Sequence, residues 1–184
     1  MEGMTFLTEI RWHGRGGQGV VTASVLLAQA ALLEGKHVQA FPEFGPERMG
    51  APIRAFTRIS DQPIYIHSAI YRPDAVVVID PTLLGQVPVL DGLKSDGFLL
   101  INSEEDAQRL KEELDAHKFK VYTVNATRIA LDEIGRAFFN TPMLGSLVRV
   151  LGTPSLDSLV SVTKERFPEG IREKNIRAIE RAYE

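Results

Sequence analysis

The sequence contains no cysteine among its 184 residues. Without cysteine, this chain can form no disulfide and can ligate neither zinc nor an iron–sulfur cluster through thiolates. The formal net charge is −3 at pH 7, so the basic excess that favours a nucleic-acid partner is also lacking. Composition therefore excludes cysteine-ligated metal chemistry within this chain and gives no support to nucleic-acid binding.

Long hydrophobic runs are absent as well. The most apolar helical stretch, residues 20–33, contains Thr22, Ser24 and Gln29. It falls short of the roughly 20 apolar residues that span a bilayer. Residues 1–10 lack the basic segment and apolar core of a signal peptide. We therefore expect a cytoplasmic protein with no membrane partner.

What is present is an alternation of strand and helix patterns, which is typical of an α/β protein. Strands are predicted at 9–13, 36–41, 53–59, 62–67, 75–79, 97–102 and 120–124, with 53–59 and 62–67 pairing as a hairpin. Helices are predicted at 20–33, 104–117 (with Ser103 as N-cap), 126–139, 141–151, 155–166 and 171–183. We expect a single three-layer domain over residues 1–184, with a largely parallel or mixed sheet, a Rossmann-like glycine turn and a helical C-terminus.

The glycines after the first strand match G-x-G-x-x-G at Gly14, Gly16 and Gly19. In one interpretation the turn holds the pyrophosphate of a nicotinamide dinucleotide at a helix N-terminus, with Glu43 on the ribose. In the other, the glycines only let helix and sheet pack closely. Three features oppose a nicotinamide site. The additional Gly17 makes the loop GRGGQG looser and more tightly turned than a simple pyrophosphate fingerprint needs. The strand 9–13 is polar on one side, unlike a central strand, and a Pro/Gly segment replaces the helix expected after the second strand.

Two stretches read together are more specific than the glycines alone. RWHGRGGQGVVTAS (11–24) and FPEFGPERMGAPIRAFTRIS (41–60) resemble the gamma subunits of 2-oxoacid:ferredoxin oxidoreductases, and F-G-P-E-R-x-G-A-P is closest to the pyruvate type. DAVVVIDPTLL (74–84) and the chain length fit the same family. The resemblance covers most of the chain and is strongest over 11–60.

This resemblance implies a subunit of an enzyme that converts pyruvate, coenzyme A and oxidised ferredoxin to acetyl-CoA, carbon dioxide and reduced ferredoxin. It also implies alpha, beta and delta-type partner subunits, which hold thiamine diphosphate, magnesium and the iron–sulfur clusters and pass electrons to ferredoxin. This chain has neither cysteines nor a thiamine-binding motif. We expect it to hold none of these groups by itself and to contribute subunit interfaces and contacts to coenzyme A.

The resemblance also marks candidate binding residues, although no catalytic residue or metal ligand. The glycine turn is expected to face the assembled active site or a subunit boundary, with Gln18 donating to an anion or a neighbouring chain. Its members are Gly14, Gly16, Gly17, Gln18 and Gly19. Glu47 and Arg48 either contact the catalytic subunits near thiamine or coenzyme A, or form a local ion pair.

Strand 53–59 places Arg54, Phe56 and Arg58 on one face. This face either binds a phosphate and base of coenzyme A or is a solvated surface paired with acids. His13 is expected to make a structural hydrogen bond. Two other functions stay open: a self-contained nicotinamide-binding domain, and a non-catalytic assembly module.

Overall fold

The computed structural model describes residues 6–43 and 49–184. Its strands are β1 Leu7–Arg15, β2 His37–Pro42, β3 Pro52–Ser60, β4 Ala75–Val78, β5 Phe98–Asn102 and β6 Lys120–Val124. Its α-helices are α1 Val20–Leu33, α2 Ala107–Glu113, α3 Ala126–Glu133, α4 Asn140–Leu151, α5 Leu156–Arg166 and α6 Arg172–Tyr183. A short 3-10 helix, Pro81–Leu83, follows β4.

The six strands form one mixed sheet in the order β2-β3-β1-β4-β5-β6. Strands β1, β4, β5 and β6 are parallel neighbours, whereas β3 is antiparallel to both β1 and β2. Strand β3 therefore separates β1 from β2, so the β1–α1–β2 unit is split and does not form the adjacent pair of a dinucleotide-binding fold. An antiparallel strand at 53–59 is thus confirmed, but the prediction that it pairs with residues 62–67 is wrong.

The segment 62–67 contains no strand. Side chains of the sheet hold this stretch instead. Gln39 Nε2 donates to the carbonyl oxygen of Ile66 at 2.9 Å, and the Arg58 guanidinium donates to that of Ser68, just after the segment, at 2.9 Å. Pro63 also removes a backbone donor from any ladder here. Strand β3 finds its partners in β1 and β2, where nine and six residue pairs are in register.

Helices cover both faces of the sheet, which confirms the three-layer α/β prediction. On one face, α1, α4 and α5 pack over a core that includes Ile10, Trp12 and Val77. On the other, α2 and the loop 84–93 cover Val76 and Leu99. Burial on both faces explains the continuous apolar runs of β4 and β5.

Strand β1 is central in spite of its polar side. Arg11 and His13 are 3% and 4% exposed. The Arg11 guanidinium donates to the carbonyl oxygens of Val89 at 2.9 Å and Asp91 at 2.6 Å. The expectation that a central strand must be apolar on both sides was therefore wrong here, because a hydrogen-bonded loop compensates the buried charge.

Two predicted helices are shorter than expected. Helix α2 begins after Asp106, whose side chain accepts from the backbone of Gln108, so Ser103 is not its N-cap. Helix α3 ends at Glu133 instead of residue 139, since the chain turns at Gly135 with φ 79°. Residues 134–139 therefore form a loop, and part of this loop lines a cleft next to the glycine turn.

Helix α1 has apolar residues on nearly every face, so it should be buried all round. Most of it is, but Leu32 and Leu33 at its end are each 57% exposed. The described residues therefore cover the helix only in part. No described helix combines the length and apolarity that crossing a membrane requires.

Candidate functional site at the glycine turn

The turn between β1 and α1 is shaped by glycines for two separate reasons. A Cβ on Gly14 would overlap the Val20 side chain, so the absence of one lets α1 pack against the sheet. Gly17 and Gly19 have φ of +90° and +75°, a region that disfavours other residues. Gly19 is the N-cap of α1 and supplies no side-chain cap, which leaves the first N–H groups of the helix open.

The side chain of Gln18 connects the glycine turn to the residues that follow β4. Its Nε2 donates to Asp80 Oδ2 at 2.7 Å, and its Oε1 accepts from the backbone N–H of Arg15 at 2.7 Å. Asp80 follows β4, the parallel neighbour of β1. One amide hydrogen of Gln18 is thus engaged inside the protein, and its predicted donation to an anion or a neighbouring chain stays a prediction.

Asp80 is the anionic centre of this edge. Its Oδ1 accepts from the backbone and hydroxyl of Thr82, at 2.9 and 2.6 Å. Arg15 Nε lies 3.2 Å from Oδ2. Burial acts to raise the pKa of Asp80, but the bonds from Thr82 and Gln18 and the charge of Arg15 outweigh it, so the pKa lies below its usual value. Asp80 is therefore an ionised structural acceptor at neutral pH.

Arg54 lies beside the turn but on the opposite face of the sheet. It pairs in register with His13, directly before the glycines. Its side chain is exposed and forms an ion pair with Glu43, including a contact of 2.7 Å. The carboxylate of Glu43 is therefore engaged by the Arg54 guanidinium, which leaves it unsuited to bind a ribose. Glu47 and Arg48 lie outside the described residues.

Arg58 and Phe56 do not form the surface platform considered from the sequence. Both are 1% exposed. Arg58 donates to Glu9 Oε1 at 2.8 Å and to Gln39 Oε1 at 3.1 Å, so its charge is satisfied internally. Arg54 and Arg58 each pair with an acid, as the second interpretation of this face expects. Of the two guanidinium groups, that of Arg54 is exposed to solvent and that of Arg58 is buried. A base cannot stack on the buried ring of Phe56.

His13 makes the structural hydrogen bond expected of it. Its Nε2 accepts from Arg11 Nε at 3.0 Å. Burial, together with the charges of Arg11 and Arg54, lowers the pKa of His13 to about 3. The ring is neutral at physiological pH.

A cleft of about 450 Å³ opens where the glycine turn faces the C-terminal helices. Its lining residues come from four separate places in the chain and include Gly17, Thr22, Arg136, Asn140, Arg166 and Lys174. No acidic residue is among the described residues that line it. The last four belong to no sequence motif, so the sequence did not point to them. The only local signal was the glycine turn on the opposite wall.

The fold and turn define a class: a three-layer α/β protein with an open, uncapped helix N-terminus at the carboxyl edge of its sheet. Comparison with known proteins is more specific. Residues 9–184 match the family model for pyruvate ferredoxin/flavodoxin oxidoreductase. The chain belongs to this family, which confirms the resemblance seen in the sequence.

Individual relatives match over nearly their whole length. The chain is 48% identical to the pyruvate/ketoisovalerate oxidoreductases common subunit gamma of Pyrococcus furiosus, over 97% of this chain and 96% of that protein. It is 49% identical to pyruvate synthase subunit PorC of Methanothermobacter thermautotrophicus, over 97% of this chain and 95% of that protein. The crystal structure of pyruvate oxidoreductase subunit PORC from Thermotoga maritima superposes with a TM-score of 0.85 at 48% identity, covering 96% of this chain and 95% of that one.

Proposed function

We propose that this chain is the gamma subunit of a multi-subunit oxidoreductase that converts pyruvate, coenzyme A and oxidised ferredoxin to acetyl-CoA, carbon dioxide and reduced ferredoxin. The observation that carries this proposal is the family match over residues 9–184, together with relatives named as a common subunit gamma or as PorC, at 48–49% identity over almost full length. The nicotinamide alternative loses its basis because β3 separates β1 from β2.

Thiamine diphosphate, magnesium and the iron–sulfur clusters belong, in this proposal, to alpha, beta and delta-type partner subunits in the cytoplasm. The residues of this chain do not fit these groups. The sequence has no cysteine. Within 6–43 and 49–184, no group of three or more histidines and acids is arranged to hold a metal ion. The chemical steps at those groups therefore belong to the partner subunits, through which ferredoxin is reduced.

The part of this chain nearest the reaction is the carboxyl edge of its sheet, where open α/β sheets generally bind ligands. The glycine turn is anchored there by Gln18 and Asp80, and Arg54 stands next to it with its guanidinium exposed. Among the described residues Arg54 pairs with the half-buried Glu43, and ion pairs this open to solvent contribute little, so an incoming phosphate can compete for Arg54. We assign this edge to contacts with the catalytic subunits and with coenzyme A.

The identity of the 2-oxoacid needs its own test. Four relatives named as a common subunit of pyruvate and ketoisovalerate oxidoreductases are 47–49% identical to this chain. Four named PorC of pyruvate synthase are 48–49% identical. Similarity is the same for both groups, so the assays include both 2-oxoacids.

The test of the function is an anaerobic purification from the native host through a tag on this chain. We expect larger subunits to co-purify with iron, thiamine and pyruvate-dependent ferredoxin reduction that requires coenzyme A. Reduction by 2-oxoisovalerate as well would indicate a subunit shared between two oxidoreductases. Recovery of the chain alone, or of partners without these activities, would contradict the proposal.

Arg54→Ala tests the contact with coenzyme A in the assembled complex. Loss of one exposed charge-assisted contact should raise the KM for coenzyme A about tenfold. Subunit composition should not change. Arg128→Ala is the matched control, since Arg128 makes an exposed ion pair with Asp132 within α3. An unchanged KM in the Arg54 variant would restrict this edge to an assembly role.

A further inference from the structure

Strand β2 is one edge of the sheet, with β3 as its only neighbour among the described strands. The backbone N–H of Glu43, directly after β2, donates to the carbonyl oxygen of Arg54 at 3.0 Å, which fixes the alternation of bonded pairs along the two strands. By this alternation every second residue of β2 directs its N–H and C=O toward β3, and the residues between them, Val38 and Ala40, direct theirs outward. Within residues 6–43 and 49–184, no group bonds to these outward donors and acceptors. Strand β2 therefore presents a short open ladder to which another strand can add.

The open edge of β2 lacks the charged residues that usually protect an edge strand. Its sequence, HVQAFP, contains no lysine, arginine, aspartate or glutamate. The opposite edge strand, β6, begins at Lys120 and follows Lys118. Lysine on an edge discourages pairing with another chain. Pro42 withholds its own N–H at the last position of β2, but it leaves the two outward residues before it able to pair.

Exposed apolar side chains flank this edge on both faces of the sheet. On the face covered by α1, Leu32 and Leu33 end the helix just before β2 begins, and both are exposed. On the other face, Gln39 Nε2 donates to the carbonyl oxygen of Ile66, which holds Ile66 and Tyr65 beside the strand. Both of these side chains are exposed as well. Apolar side chains grouped around an open edge are typical of an interaction surface.

Strand β2 is complementary to a second copy of itself. In an antiparallel pair with the two-fold axis between facing Gln39 residues, Val38 lies opposite Ala40 of the second copy, and Ala40 opposite its Val38. Every outward N–H and C=O of these residues then has a partner in the other strand. The residues that flank the strand, Lys36 and Glu43, have opposite charges, and this register brings each of them near the other in the second copy.

We propose that β2 pairs with β2 of a second copy of this chain, so that the two sheets become one continuous sheet. A second copy fits better than an unrelated strand, because one register uses all the outward groups of both strands and also matches the flanking charges. The exposed apolar side chains on the two faces add contacts beside the ladder. In the proposed oxidoreductase this pairing connects two gamma subunits, and only this consequence rests on the proposed function.

The first test is sedimentation velocity of the full chain at concentrations from about 1 to 200 µM, a range that covers micromolar affinities. A short strand pair with a few apolar contacts belongs to the smallest class of interfaces. We therefore expect a reversible dimer with a Kd of about 10–100 µM. A chain that stays monomeric over this whole range would overturn the proposal.

Amide hydrogen exchange followed by NMR identifies the strand. The N–H groups of Val38 and Ala40 should exchange slowly at the high concentration only, because they are bonded only in the dimer. The N–H of Phe41 is bonded to β3 and should be protected at both concentrations, which makes it the internal reference. A dimer in which the outward amides exchange freely would place the contact elsewhere and overturn the proposal. Protection of the β2 peptide only in a complex with other subunits would assign this edge to a partner subunit and would also overturn it.

Ala40→Pro removes one outward N–H from each copy and keeps every bond to β3, since residue 40 does not bond to that strand. Two hydrogen bonds of the dimer are lost, so dimerisation should weaken at least about tenfold. The melting temperature of a dilute sample, in which the chain is monomeric, should change little. An unchanged Kd in this variant would contradict the pairing.

Leu33→Lys tests the flanking apolar surface without altering the strand. It should weaken dimerisation several-fold, because the charged ammonium must give up water at the interface. Leu131→Lys is the matched control, since Leu131 is a similarly exposed leucine on α3, beyond the opposite edge of the sheet. Equal effects of the two substitutions would contradict the proposal. These measurements need no turnover, so their failure is distinguishable from failure of the proposed enzyme function.

Discussion

The protonation of His13 makes stability depend on pH in a window that this structure defines. Its Nε2 must be unprotonated to accept from Arg11, and burial beside two arginines lowers its pKa to about 3. In the unfolded chain the pKa returns to about 6.5. Between these values the unfolded state binds the extra proton and the folded state does not. The free energy of unfolding therefore falls as pH decreases from about 6.5 toward 3.

The magnitude follows from the two pKa values. Each pH unit inside the window changes the free energy of unfolding by up to about 1.4 kcal/mol. Because the window opens near pH 6.5, a change from pH 7 to pH 5 should remove about 2 kcal/mol through His13 alone. This range stays above the titration of carboxylates such as Asp80, whose pKa lies below its usual value.

The assay is urea unfolding at pH 7, 6 and 5 for the wild type and for His13→Gln. Glutamine offers Arg11 an acceptor oxygen but has no proton to gain. The variant should start less stable or equal at pH 7 and lose about 2 kcal/mol less than the wild type on going to pH 5. Parallel pH profiles of the two proteins would refute the assignment of a neutral, buried His13.

Three further substitutions test the packing around the site by urea unfolding. Gly145→Ala in α4 would press a Cβ onto the backbone carbonyl of Ile179 in α6, and should lower stability by about 2 kcal/mol although alanine favours helix; a stabilised variant would show that these helices are not in close contact. Arg58→Met leaves Glu9 half-enclosed without its cation and should remove about 3 kcal/mol, with no loss arguing against the buried pair. Gln18→Ala removes two short hydrogen bonds and should lower stability by about 2 kcal/mol while the pKa of Asp80, measured by carbon NMR, rises toward its usual value. An unmoved pKa in that variant would mean that Gln18 does not hold the carboxylate.

Much of the fold could be predicted because its signals are local. Six of the seven predicted strands correspond to strands of the sheet, and α1 begins and ends as predicted at Val20 and Leu33. Apolar runs and glycine and proline punctuation act within a few residues, so the sequence expresses them directly. The same holds for the glycine turn, which needs positive φ at Gly17 and Gly19.

The pairing of the strands and the burial of individual side chains could not be predicted from local patterns. Arg54 and Arg58 occupy equivalent positions of one alternating strand, yet one is exposed and the other is 1% exposed. The difference comes from the segment around Ser68, which folds back over Arg58. The sequence predicts the preceding residues, 62–67, as a hairpin partner of β3, whereas contacts with Gln39 and Arg58 hold this stretch outside the sheet.

The sequence by itself determined the α/β class, the glycine turn and the family, because each is written in residues close together in the chain. Only the tertiary structure decided the central place of β1 with its buried charges, and the cleft that joins the turn to Asn140, Arg166 and Lys174. Those residues stand more than 100 positions after the turn and share no motif with it. Packing of α4, α5 and α6 against α1 brings them together, and such packing depends on the shape of the whole core rather than on any local pattern.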